Sequence, residues 1–274
     1  MKIFLGSIFI IVIISSCGSF NKILKSNDID YKYKKAVSYF EAKRYNYVIQ
    51  IFSPEFFPLL KGTKEFEEAF YMFAYSHYYE KDYFNAENLF KQYAEIFSTS
   101  KRVVEMEYMR AYTYYKQSPK VDLEQTNTLK TIGMMNTFIN QHPDTEQAKE
   151  AAKIIDLCKE KLEEKDFKSA ELYYRMGQYR AAAVSFLSML NAFPESNQSD
   201  FYKYMAIKAY FQFAEFSIEE KKEERYEEVI TECNDFLDKF GESKYTKEVE
   251  KYSENSTTNI KKIKNEQVKK TTSS

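Results

Sequence analysis

Apolar and small residues recur along this chain at three- and four-residue intervals, and each run closes at a short polar break. That spacing marks one face of an amphipathic helix rather than a strand. Four of the breaks share a composition: Phe97-Ser98-Thr99-Ser100, His142-Pro143-Asp144-Thr145, Phe193-Pro194-Glu195-Ser196 and Phe240-Gly241-Glu242-Ser243. Each puts a breaker or small residue after an aromatic ring and then supplies Ser or Thr. The breaker stops one helix, and the hydroxyl is placed to cap the next.

A second pattern precedes these breaks. Lys43-Arg44-Tyr45, Lys81-Asp82-Tyr83, Gly177-Gln178-Tyr179 and Glu224-Arg225-Tyr226 are followed, three residues after the Tyr, by Val48, Ala86, Ala182 and Val229. Four residues further on come Phe52, Phe90, Phe186 and Cys233, and Ala36, Ala74 and Ala170 stand twelve before the first three small residues. Small residues let two helices approach closely, and the aromatic fills the gap to the next pair. The spacing resembles the tetratricopeptide repeat, a helical hairpin of about 34 residues. It is best in register from Glu163 to Ser196. A third repeat starts at Tyr108-Met109-Arg110-Ala111 and carries a longer loop at Gln117-Ser118-Pro119-Lys120. The charged stretch Glu219–Arg225 reads as solvated helix ends and loop, and Glu146–Lys165 as a long connecting helix.

The expectation is an all-α fold, a right-handed superhelical solenoid of about five tetratricopeptide-like hairpins with a concave and a convex face. N-terminal repeats span 28–145 and C-terminal repeats 146–252. Residues 253–274, rich in Lys, Asn, Ser and Thr, are predicted to be a disordered tail.

The first residues follow a different rule. Lys2 precedes an apolar run from Ile3 to Ile14, then Ser15, Ser16, Cys17 and Gly18. That is the layout of a secretory signal peptide, and the run is shorter than the ~20 residues that span a bilayer. Ile14-Ser15-Ser16-Cys17-Gly18 resembles a bacterial lipobox. The resemblance implies removal of 1–16, diacylglycerol and an acyl chain on Cys17, and a lipid-anchored linker over 17–27. The alternative is a soluble secreted chain with an incidental cysteine. No acidic cluster follows Cys17, which favours the periplasmic face of the outer membrane over the cell surface.

Composition narrows the chemistry. The chain has 274 residues and a formal net charge of -1, so no overall basic field invites nucleic acid. Only six Gly and five Pro stand against 24 Tyr and 23 Phe, which suits a mostly helical chain. His77 and His142 are the only histidines and have no metal-ligand spacing. Cys158 and Cys233 fit no zinc or redox motif; they are read as half-buried thiols, with a disulfide as the alternative. No nucleophile elbow, zincin, P-loop or dinucleotide motif occurs. The chain is therefore expected to be no enzyme and to hold no metal and no cofactor, although a paired-carboxylate site remains open among its many acids.

The repeat register also says which residues face the groove. It gives Tyr33, Val37 and Phe40 in the first repeat, Tyr71, Tyr75 and Tyr78 in the second, and Tyr108, Tyr112 and Tyr115 in the third. Aromatic stripes at helical spacing are as often core as surface. Here the core positions are separately filled by Phe70, Phe73 and Ala74, and Tyr suits a half-wet surface. Tyr33, Tyr71, Tyr75, Tyr78, Tyr108, Tyr112 and Tyr115 are thus expected to bind an extended or helical segment carrying aromatic side chains.

Lipobox, hairpins and length together resemble the BamD family of outer-membrane protein assembly lipoproteins. Tyr108-Met109-Arg110-Ala111, Ala170-Glu171-Leu172-Tyr173-Tyr174-Arg175-Met176-Gly177 and Phe193-Pro194-Glu195-Ser196 are similar to segments of that family, and the similarity runs roughly from Phe20 to Tyr252. It implies a non-catalytic adaptor of the β-barrel assembly (BAM) machinery. Its N-terminal hairpins would receive unfolded outer-membrane β-barrel proteins, and its C-terminal hairpins would hold a POTRA domain of BamA, alongside other BAM lipoproteins or subunits. Ser185 stands where many family members carry Arg, so no single BamA contact carries over. Other readings are a different periplasmic repeat scaffold or a SusD-like glycan-binding lipoprotein. The first lacks a coiled-coil segment before the repeats, and the second lacks the Trp that stacks on sugars.

Overall fold

The computed structural model describes residues 19–272. All regular structure among them is helical: α1 (19–24), α2 (Ile29–Glu41), α3 (Tyr45–Ile51), α4 (Phe57–Leu60), α5 (Phe66–Tyr79), α6 (Tyr83–Ile96), α7 (Val103–Lys116), α8 (Thr126–Gln141), α9 (Glu146–Arg175), α10 (Tyr179–Ala192), α11 (Ser199–Glu215), α12 (Glu219–Phe240) and α13 (Thr246–Thr272). Five hairpins result: α2/α3, α5/α6, α7/α8, the end of α9 with α10, and α11/α12. Cys17 lies outside the described residues.

The small positions read from the sequence are the ones the hairpins close upon. Ala36, Ala74, Ala170, Val48, Ala86, Ala182 and Val229 are fully enclosed, as are Phe52, Phe90, Phe186 and Cys233. In the third hairpin Ala111, Thr131 and Met135 take these places. Interiors this dense leave no room for an added methylene.

Three of the hairpin turns share one backbone device. Lys43 (φ 56), Lys81 (φ 63) and Gly177 (φ 74) adopt the left-handed conformation just after the first helix. The next amide reaches back to close the motif: Arg44 to the Tyr39 carbonyl at 2.8 Å, Asp82 to His77 at 2.9 Å and Gln178 to Tyr173 at 2.9 Å. These are Schellman-type caps, which satisfy the last free carbonyls of a helix. The fourth trio departs. Glu224 and Arg225 lie inside α12, and the turn sits earlier, at Phe216–Ile218. The charged stretch Glu219–Arg225 is thus helix rather than loop.

Two compact units divide between Lys159 and Glu160, within α9, rather than at 145/146. The first half of α9 contributes Ala148, Ala151, Ile154, Ile155 and Cys158 to a core built on α5–α8. A second core of the first unit gathers Phe20, Ile23, Val48, Phe52, Phe56 and Met72 around α1–α5. The other unit is built on Ala170, Phe186, Tyr202, Ile207, Cys233, Phe236 and Val249. Cys158 and Cys233 are fully buried rather than half-buried.

Both ends of the described chain are helical. Within the span expected as a lipid-anchored linker, residues 19–24 form α1, which seats Phe20 and Ile23 in the core. Residues 253–272 continue α13 instead of forming a disordered tail. Val249 and Ser256 are enclosed and Tyr252, Ile260 and Ile263 partly so, which places an inward stripe at helical spacing. Asn259 donates to Glu215 at 3.1 Å and Lys264 pairs with Glu223 at 3.0 Å, tying the extension back.

Candidate functional site: a tyrosine face on α5 and α7

Ring packing joins six of the seven expected tyrosines into one ladder. Tyr71 lies 4.6 Å from Tyr75 between ring centres, and Tyr75 lies 6.3 Å from Tyr78. Tyr78 reaches across the hairpins to Tyr112 at 6.4 Å. Tyr112 stacks on Tyr108 and packs on Tyr115, each at 5.7 Å. Tyr33 stands apart: it packs in the α1–α5 core and makes no ring contact with the others among the described residues. Tyr75 and Tyr108 are buried, at 8% exposure each, whereas Tyr33, Tyr71, Tyr78, Tyr112 and Tyr115 are half-buried. The seven tyrosines therefore do not form one uniform surface. Two of the rings are largely inside the core, and they support a rim of half-exposed ones.

Three of the hydroxyls are tied to acids of later helices. Tyr71 donates to Glu105 of α7 at 3.3 Å, and Tyr75 donates to the same oxygen. Tyr108 donates to Glu150 of α9 at 3.1 Å. A buried phenol needs such an acceptor, and the acid sits about one repeat ahead in each case. Burial, then the nearby Glu105 charge and hydrogen bond, push the Tyr71 phenol up to about 12. Burial and the Glu105 hydrogen bond push Tyr75 up as well, and burial with Glu150 does so for Tyr108. Tyr78 is raised to about 12, chiefly by burial. All of them carry neutral hydroxyls at neutral pH.

The sequence reading missed the partners. The Arg102 guanidinium lies 4.3 Å from the Tyr71 ring centre and is held by Glu68 at 2.6 Å. Tyr79 packs on Tyr75 and Tyr78, stacks on Tyr45 at 4.4 Å and is 47% exposed. The Lys116 ammonium sits 5.2 Å from Tyr112. Glu105 was legible in principle, because it stands 34 residues after Tyr71, one repeat away. What the face offers is aromatic area rimmed by cations, fixed by hydrogen bonds from beneath. Among the described residues no cluster of His, Cys, Asp and Glu could hold a metal ion. One cleft of the first unit, of about 360 Å³, lies elsewhere, between Glu107, Arg110, Met134 and Gln141.

Three of the four breaks also have a role that capping alone did not predict. Thr145 does cap α9, accepting from the Ala148 amide at 3.2 Å. Ser100, Ser196 and Ser243 instead accept from the amide two residues on and donate backward to an acid. Ser100 and Tyr93 both donate to Glu67 at 2.6 Å. Ser196 donates to Glu163, which also accepts from Tyr202 at 2.8 Å. Ser243 donates to Asp200 at 2.7 Å. Each serine clasps the turn to the first helix of its own hairpin.

Hairpins with this register, this small-residue seam and these turns define a helical repeat protein of the tetratricopeptide type. Within that class the chain belongs to the YfiO family, described as outer membrane lipoproteins, whose profile matches residues 26–210. A curated relative is the outer membrane protein assembly factor BamD of Caulobacter vibrioides, 22% identical over 139 residues. The match covers 51% of this chain and 46% of that protein, so the chain spans about half the length of the curated relative it matches. Among solved structures, the TPR2AB-domain:pHSP90-complex of yeast Sti1 is similar at a TM-score of 0.40 and 13% identity, over 84% of this chain and 98% of that one. Among the described residues no helix is long and apolar enough to cross a membrane.

Proposed function

We propose that this protein is a lipid-anchored, non-catalytic adaptor for assembly of outer-membrane β-barrel proteins. Cys17 carries the lipid and holds the chain at the periplasmic face. Unfolded barrel precursors bind the tyrosine face of α5 and α7. The second unit holds a BamA-type partner through its POTRA domain, with other assembly subunits alongside. Membership of the YfiO family supports the setting. The observation that carries the binding role is the ladder itself: rings that stay half-exposed while their neighbours anchor them through Glu105 and Glu150. A folded core would bury these rings, whereas a peptide surface needs them presented rigidly, at little entropic cost on binding.

Two measurements test it. A tagged chain isolated from its native envelope should bring down the BamA homologue, and a preparation free of it would remove the adaptor reading. Tyr112→Ala with Tyr115→Ala, which leaves the buried hydroxyl network in place, should weaken a peptide ending in an aromatic residue about tenfold, at roughly 1.4 kcal/mol per decade. Helicity by circular dichroism should be unchanged. Unaltered affinity would place the clients on another surface.

A further inference from the structure

The chain leaves almost no slack between its expected anchor and its first packed residue. Phe20 is 6% exposed and its ring lies 4.3 Å from Tyr47 and 5.8 Å from Tyr39. Only Gly18 and Ser19 separate it from Cys17. Three Cα steps reach at most about 11 Å. A lipid on Cys17 therefore brings the first hairpin to the headgroup layer, whatever path those residues take.

The face brought there is cationic. Arg44 covers the same two rings, 4.3 Å from Tyr47 and 5.2 Å from Tyr39, so it shares the Phe20 site. Lys43 precedes it in the α2–α3 turn, and Lys22 and Lys25 follow Phe20. All four are exposed, and none has an ion-pair partner among the described residues. Residues 19–47 hold seven Lys and Arg against three Asp and Glu, in a chain whose net charge is -1. The acids nearest the turn are Glu41, exposed, and Glu80, which accepts from the Asn46 amide at 3.1 Å. Cations at an anionic lipid surface add attraction that salt screens, and Tyr with Arg suits the interfacial zone.

We infer that the face formed by α1 and the α2–α3 turn, with Lys22, Lys25, Lys43 and Arg44, rests on anionic phospholipid headgroups and so fixes how the anchored protein meets the membrane. The inference rests on the reading that Cys17 is lipidated. A tether alone supplies only proximity, whereas a docked face supplies orientation.

The test uses the lipidated full protein in vesicles of phosphatidylethanolamine and phosphatidylglycerol bearing a headgroup quencher. A fluorophore goes on Ala42→Cys, an exposed position in the α2–α3 turn far along the chain from the anchor, with Cys158 and Cys233 too buried to compete. Strong quenching is expected, falling severalfold in high salt, in zwitterionic vesicles of phosphatidylcholine, and in the variant Lys22→Glu, Lys25→Glu, Lys43→Glu, Arg44→Glu. The milder Lys22→Gln, Lys25→Gln, Lys43→Gln, Arg44→Gln variant should fall between, and circular dichroism reports that each remains folded. Equal quenching in every vesicle and variant overturns the inference and leaves a tether only. Mass spectrometry of the Cys17 peptide separates the two failures. A missing lipid removes the anchor and with it the docked face, while a lipidated protein whose quenching ignores salt, vesicle charge and the variants removes the docked face alone.

Discussion

At the residue scale the turn serines matter more than their exposure implies. Ser100 and Tyr93 hold the Glu67 carboxyl below the usual carboxylate range, the Ser100 hydrogen bond contributing most. A carboxyl with a lowered folded value stabilises the protein above its unfolded value, and that stability fades as the pH falls through the folded one. Glu67→Gln should therefore flatten the acid limb of a denaturation series run from about pH 7 to about pH 3. Ser100→Ala should cost roughly 1–3 kcal/mol at neutral pH, since it strips a donor from a charged acceptor. An unchanged midpoint in urea would show the clasp to be idle. The phenols give the mirror image. Their folded values are raised, so their contribution is intact below the unfolded value of about pH 10 and lost as the pH climbs from there through the folded one. An ultraviolet titration should show Tyr71 and Tyr78 ionising late, near 12, together with loss of helix.

At the element scale the hairpin turns pose a simple question of backbone cost. Lys43 and Lys81 occupy left-handed positions that Gly177 occupies without penalty. Lys81→Gly should raise stability by about 1 kcal/mol, and Gly177→Ala should lower it by about as much. A Cβ at Gly177 meets nothing within 4 Å, so any loss measured there is conformational. Thermal unfolding of the pair of variants checks both signs. The hairpins themselves were legible because enclosed small residues recur at a fixed spacing, and Ala36, Ala74, Ala86 and Ala182 left no second register to choose. The Glu219–Arg225 helix was not legible, because a charged run carries no inward face of its own. The α13 extension hid similarly, with Ser256 and Asn259 occupying stripe positions that composition reads as solvent.

At the scale of the whole molecule, net charge concealed a local surplus. A value of -1 over 274 residues argues against a polyanion partner, yet residues 19–47 stand apart from it. The tyrosine face shows the same limit of sequence reading. Its residues could be named from the register, but which rings lie inside depended on Glu105 and Glu150 arriving from later helices. Cys17→Ser, expressed with its export signal, should leave thermal unfolding and helicity unchanged and shift the protein from the membrane to the soluble fraction. Full support of barrel assembly by that soluble form would show that the anchor is dispensable.

The serine clasps have a consequence in time. Glu67 precedes Ser100, and Glu163 precedes Ser196, by 33 residues each. A chain that emerges in order, from the ribosome or from an export channel, therefore carries each acid unanswered until the rest of its own hairpin has followed. Chains grow at roughly 5–20 residues per second, so each hairpin waits seconds in a loosened form. A nascent chain stalled so that Phe97 has just cleared the ribosome should be cut readily by protease between α5 and α6, and one stalled far enough on to free Ser100 and α7 should resist. Synthesis would then lock the repeats in order, each one by the arrival of its own final turn.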